Sequence, residues 1–278
     1  MTDFPDPGAR AAQSAFVGRR LLAILLRHLY VMRTSWPRIL EMAYWPTVQM
    51  ILWGFTSQFF RGHSSWVAQA SGVLVGAVLL WEVLNRSHMG FAFSFIEEIW
   101  SRNLGHLYIT PLRPIEHVAA VAAMSLIRTV IGLFPSTLLA IFLYRTNLYD
   151  MGLPLLAFFA NLVVMGWSVG MLSATLVLRF GMGAEGLAGV VVAGLSPLAA
   201  IYYPIDTLPG WLRPAALALP PAHVFEGMRA VMFNHLFRWD LFWNATLLNL
   251  GYFAAACLFF LYMVRVARRR GLLISMGE

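Results

Sequence analysis

Residues 93–117, FSFIEEIWSRNLGHLYITPLRPIEH, form a charged interruption between two long apolar segments. On a helical wheel begun at Ile96, the residues Ile96, Ile99, Trp100, Asn103 and Leu107 share about a third of the circumference, while Glu97, Glu98, Ser101 and Arg102 take the other side. The spacing predicts a short amphipathic helix over 93–107, with Glu98 four residues before Arg102 as a favourable ion pair. Gly105 is suited to end it, and Pro111 and Pro114 keep the chain from continuing as helix. An element of this kind between apolar spans is expected along a membrane surface.

Working outward, composition points the same way. Of 278 residues, 59% are hydrophobic and 12% charged, with a mean hydropathy of +0.69. Soluble domains average about 45–50% apolar and about 25% charged, so the bilayer is the expected solvent. The opening MTDFPDPGARAAQ is polar and is not expected to be a cleaved secretory leader. The single cysteine, Cys257, lies in an apolar segment and is read as packing.

All 20 basic residues are arginine, and lysine is absent. A Walker A loop needs its lysine on the nucleotide phosphates, and a Schiff base needs a lysine amine. P-loop ATP hydrolysis and retinal or pyridoxal phosphate chemistry are therefore excluded from this chain. A formal charge of +7 raises nucleic-acid binding, yet the arginines gather at the ends of apolar runs, where they read as topology signals. No nucleic-acid partner is expected.

The fold class read from this pattern is an all-α integral membrane protein with six transmembrane helices. Residues 1–36 are expected to be a cytosolic N-terminus with a basic helix in the interface, because Arg19, Arg20, Arg27 and Arg33 stand among leucines. A membrane domain over 37–264 follows, and a basic tail over 265–278 closes the chain. The spans are placed at about 39–60, 66–88, 115–144, 153–178, 187–203 and 241–264. Between the last two, residues 204–239 hold Pro204, Pro209, Pro214, Pro220 and Pro221, too many for one helix. They are read as short interfacial or re-entrant helices. Only Arg61, Arg145, Arg213, Arg229 and Arg238 fall opposite the termini, and Arg128 falls inside a span, so both termini and the 93–117 stretch are placed in the cytosol.

EEIWSRNLGHLYITPLRPIEHVAA resembles the cytoplasmic segment between the second and third spans of ABC-2 type permeases, an acidic amphipathic helix followed by Thr-Pro and a basic residue. LPGWLRPAALALPPAHVFEGMR is similar to that family's outward segment before the last span, departing at Ala222 and His223, where many members carry Asn-Pro. The resemblance spans about Arg19 to Arg270. It implies the transmembrane subunit of an exporter in the bacterial cytoplasmic (inner) membrane, working as a homodimer or with a similar subunit. Separate ATPase subunits would carry ATP and Mg, and the chain itself would hold no cofactor. Residues 93–107 would be the coupling helix, with Glu97, Glu98, Trp100, Ser101, Arg102 and Leu104 as contacts to the ATPase. The cargo would be lipid-linked, glycan-like or amphipathic.

Other residues stand out by chemistry. Tyr44, Gln49 and Trp53 of the first span, with Tyr202 and Tyr203 at the end of the fifth, are candidate pathway or gate residues, though aromatic belts and helix packing use the same residue types. Glu82, Arg86 and Arg128 are intramembrane charges, with Arg128 expected to snorkel or to pair with Glu82 or Glu41. Glu226 and Arg229 form a pair on the outward helix. The histidines show no zinc-binding spacing, and no metal is expected. Two rival classes remain open. A membrane-embedded lipid-modifying enzyme would need convergent polar groups at one depth, and a non-transporting scaffold would use the outward helices for docking.

Overall fold

The computed structural model describes residues 7–61, 65–101, 103, 113–144 and 148–269. Arg102, Leu104, Gly105, Pro111 and the expected Glu98–Arg102 pair lie outside these residues, as does the tail from 270 onward. Among the described residues all regular structure is helical: α1 Pro7–Thr34, α2 Trp36–Arg61, α3 Ser65–Trp100, α4 Pro114–Tyr144, α5 Leu153–Phe180, α6 Glu185–Leu198, α7 Arg213–Leu217, α8 Pro220–Asn234 and α9 Trp239–Arg269, with single 3-10 turns at Leu148–Met151, Met182–Ala184 and Ile205–Thr207.

Among the described residues three helices, α4, α5 and α9, are long and apolar enough to cross a membrane. This is the architecture of a membrane protein, with large apolar side chains such as Phe134, Phe142, Leu156 and Leu258 turned outward. In water such a surface would drive aggregation. In hydrocarbon it is the ground state of the fold.

α3 is the central post. Its residues Val75, Leu79, Leu80, Val83 and Leu84 pack with Leu162, Met165 and Val169 of α5 and with Phe225 and Met228 of α8 in one apolar core. Further along, Phe91, Phe95, Ile96 and Ile99 join Val121 of α4, Met171 and Val177 of α5, and Phe260 of α9 in a second. α3 and α5 can approach closely because Gly166 and Gly170 face α3. A Cβ on Gly166 would sit 2.5 Å from the Ser87 Cβ, and one on Gly170 2.7 Å from the Phe91 Cβ. This small-x-x-x-small spacing lets two backbones meet where lipid offers no hydrophobic drive for association.

The structure corrects the expectation of a separate helix over 93–107. α3 is continuous for 36 residues, about 54 Å at the helical rise, and therefore carries the chain well past the ~30 Å hydrocarbon layer. The physical reason is that Phe91, Phe95, Ile96 and Ile99 extend the buried stripe of the span without interruption. Gly90 does not break the helix, because it is seated against Ser125 of α4, 3.1 Å from where a Cβ would lie.

The fifth apolar segment also differs from its expectation. α6 holds 14 residues, about 21 Å of helix, which is short of the hydrocarbon thickness. It closes at Ala199, and Ala200 takes a left-handed conformation with φ 52°. The chain then turns through 201–204 into the 3-10 turn, α7 and α8, with prolines at the first turns of α7 and α8, where a missing N–H costs nothing.

Candidate functional site

The last turn of α3 gathers charge from three other helices. Successive helical residues point about 100° apart, so neighbouring Glu97 and Glu98 reach different partners. Glu98 faces α1. Nη1 of Arg27 donates to both of its oxygens, at 2.8 and 2.7 Å, and the amide of Asn103 donates at 2.9 Å. His28 Nε2 lies 3.4 Å from the same carboxylate.

Glu97 faces α2 and α4. It accepts from Arg38 Nη1 at 2.9 Å and from Arg128 Nη2 at 2.7 Å. Beside this junction Arg20 of α1 lies 3.6 Å from Glu116. The Glu116 carboxylate also reaches back to the backbone N–H of Arg113 at 3.1 Å, closing the first turn of α4 as the acidic half of a capping box. Two adjacent carboxylates thus tie α1, α2 and α4 to the end of α3.

This placement corrects two expectations. Glu97 and Glu98 are expected on the polar side of an amphipathic helix, facing an ATPase, yet the Glu98 side chain is 2% exposed and that of Glu97 12%. Both are occupied by arginines of this same chain. Arg128 neither snorkels nor meets Glu82 or Glu41; it is 6% exposed and bound to Glu97. A buried guanidinium needs a carboxylate at hydrogen-bonding distance, and α3 runs far enough to supply one.

Trp100 and Ser101 lie outside this bonding. Trp100 is 52% exposed, and Ser101 is exposed with its hydroxyl on the Glu98 carbonyl at 3.3 Å. Of the six residues proposed for coupling, these two are the described ones presenting an accessible surface.

Two clefts flank the junction, one of about 240 Å3 between α2, α3 and α4, the other of about 270 Å3 between α1, α2 and α3. Both are lined by Arg38, Glu97 and Trp100.

The candidate gate residues separate into two places. Trp53 of α2 and Tyr202, just beyond α6, stack with ring centroids 4.7 Å apart and planes 19° apart. Tyr203 instead donates its hydroxyl to the Pro197 carbonyl at 2.6 Å, bracing the turn after α6. Tyr44 meets its neighbour Trp45 edge to face at 5.6 Å and is exposed, and Gln49 is half-buried on α2. Glu82 and Arg86 form the expected pair one helical turn apart, at 3.4 Å, and Arg86 also reaches the Met42 carbonyl of α2 at 3.4 Å.

Glu226 and Arg229 pair at 2.9 Å, and each is also bound to the turn after α6. Glu226 accepts the Ile205 N–H at 2.8 Å, and Arg229 donates to the Ile201 carbonyl at 3.3 Å. Their role is to hold α8 against the preceding loop.

Several groups of the site carry no local signature of their role in the sequence. Arg27 and Arg38 read there as topology signals, and His28 has no assigned role. The seven-residue spacing of Arg20 and Arg27 marks one face of α1, and that face meets two carboxylates. Asn161, Thr246 and Asn249 form a polar knot between α5 and α9, with Asn249 Nδ2 donating to the Asn161 side chain at 2.8 Å. His88 Nε2 and Ser173 Oγ meet at 3.1 Å between α3 and α5. The serine hydroxyl is committed to the Val169 carbonyl at 2.8 Å, which leaves it poorly placed as a nucleophile. Among the described residues no group of three or more His, Cys, Asp or Glu could hold a metal ion. No family model and no curated protein matches this chain.

Proposed function

We propose that this chain is the permease subunit of an ATP-driven exporter of the ABC-2 type. It crosses the membrane six times with both termini in the cytosol, pairs with a second copy, and takes its energy from separate ATPase subunits that carry ATP and Mg. The short α6 together with the 199–203 turn makes the fifth crossing, and the helices over 204–239 lie on the outer side. The cargo is a lipid-linked, glycan-like or otherwise amphipathic molecule.

One observation supports this reading above the others. The exposed indole of Trp100 ends a helix whose two preceding carboxylates are bound to α1, α2 and α4. A push delivered at Trp100 is thereby shared among four helices. Tryptophan is also enriched among the residues that dominate binding interfaces. In the coupling role, α3 delivers the motion directly as one rigid rod, without a hinge between span and surface helix.

The test is co-purification of a candidate ATPase with this chain, followed by ATP hydrolysis measurements. Trp100→Ala with Ser101→Arg changes the exposed surface and leaves the carboxylates in place. The expected result is an ATPase that binds the native chain and is released or uncoupled by the double change, at unaltered unfolding temperature. An ATPase whose binding and hydrolysis ignore both substitutions would remove the coupling assignment.

A further inference from the structure

The 240 Å3 cleft beside the Glu97 junction is built from unlike materials. Arg38, Arg86 and Arg128 line it from α2, α3 and α4 respectively. Glu41 and Glu97 line it too, and Glu82 stands against Arg86 at 3.4 Å. Between the charges stand apolar walls, among them Trp45 and Phe93.

The arginine donors are incompletely used. Arg128 gives Nη2 to Glu97, while its buried Nε–H has no hydrogen-bond partner. The buried Nε–H of Arg86 faces the Glu82 carboxylate at 3.4 Å as an ion pair, so Arg128 is the arginine with the open donor. A guanidinium carries five N–H donors in a planar fork, and a buried donor left unpaired is costly. A ligand that brings several anionic oxygens at once would use the guanidinium donors left over, and tetrahedral phosphate fits the arginine fork well.

The apolar part of the cleft specifies the rest of the molecule. Trp45 lines the cleft and is itself 54% exposed beside exposed Tyr44 and Leu40. The site is therefore continuous with the outer apolar face of α2, where a hydrocarbon chain can remain in the membrane.

We propose that this cleft binds the phosphate headgroup of an amphiphile whose apolar chain lies along α2. The proposal deepens the transport reading and rests on it for treating the bound amphiphile as cargo. Soluble phosphate shares the headgroup chemistry, and the experiment separates the two sources.

The full chain is purified in a neutral detergent, without any ATPase, and titrated with dioctanoyl phosphatidic acid, dioctanoylglycerol and inorganic phosphate. Tryptophan fluorescence is the readout, since Trp45 and Trp100 line the cleft. Saturable binding of the phosphatidic acid is expected, with no saturable binding of dioctanoylglycerol and with inorganic phosphate a poor competitor. Arg128→Gln and Arg38→Gln each weaken binding about tenfold through loss of a charge-assisted contact. Glu41→Gln removes an exposed anion from the cleft and tightens binding roughly threefold, a gain that misfolding does not produce.

Equal binding of dioctanoylglycerol, or affinities unmoved by all three substitutions, would overturn the proposal. Inorganic phosphate competing as well as the lipid would overturn the amphiphile in favour of a soluble anion. Failure of this binding leaves the ATPase association unaffected, and failure of that association leaves this binding unaffected, so the two readings fail separately.

Discussion

Arg128 and Glu97 meet at 2.7 Å although 31 residues separate them, and Arg38 shares the same carboxylate at 2.9 Å. Removing the shared anion strands two guanidiniums, whereas removing Arg128 leaves Glu97 with one partner. Glu97→Leu is therefore expected to destabilise more than Arg128→Leu. Breaking a buried pair costs about 3–5 kcal/mol, and the figure here falls near the lower end because Arg38 is 42% exposed and screened by solvent. The double change Glu97→Leu with Arg128→Leu recovers part of the loss. Unfolding of the four proteins in detergent measures the order directly.

The approach of α5 to α3 depends on two hydrogens. At Gly166 a methyl would meet the Ser87 Cβ at 2.5 Å and the Leu84 carbonyl at 2.9 Å, and neither can rotate away. Gly166→Ala is expected to cost about 1–3 kcal/mol by overpacking, and Gly166→Leu to prevent assembly of the bundle. Gly189 on α6 has open space around it, so Gly189→Ala is the matched control with little effect. Melting temperatures of the three variants decide the point.

The stack of Trp53 on Tyr202 joins α2 to the turn after α6. Aromatic pairs of this geometry are worth about 0.5–1.5 kcal/mol beyond their burial. A double-mutant cycle with Trp53→Ala and Tyr202→Ala is expected to return a coupling in that range. A coupling near zero would mean that the rings merely lie side by side, and it would take away the physical basis for a gate at this position.

Asn249 donates to both the backbone carbonyl and the side-chain oxygen of Asn161, at 3.0 and 2.8 Å, across the α5–α9 contact. Interhelical hydrogen bonds within membranes are worth about 0.6 kcal/mol on average and up to about 1.7 kcal/mol. Asn249→Leu is expected to cost an amount in that interval. Asn161→Leu is expected to cost more, because it removes the side-chain acceptor of Asn249 and leaves that buried amide held only by the Asn161 backbone carbonyl, its own oxygen already without a hydrogen-bond partner. Equilibrium unfolding of the two variants tests the order.

Several features were legible in the chain because their causes are local or compositional. High apolar content and sparse charge mark a membrane protein, and the prolines of 204–239 divide that stretch into short helices. Glu82 and Arg86 pair because one helical turn separates them. A wheel drawn on 93–107 sorted its residues by direction and could not show what stood opposite each direction. Both acids stand on the polar side of that wheel, and what covers this side is Arg27 and Arg38, 71 and 59 residues before their partners. Gly166 and Gly170 stand four residues apart, and only α3 lying against them gives that spacing its purpose.

The sequence by itself determined the solvent of this protein, its helical class and the absence of lysine chemistry, since each follows from residue types and short spacings. Tertiary structure alone decided that α3 runs unbroken to Trp100, that α6 stops after 14 residues, and that Glu97 and Glu98 serve as the junction of four helices. The reason is physical. Whether a charge is solvated or paired depends on the dielectric and the partners around it, and both are created only when distant helices pack.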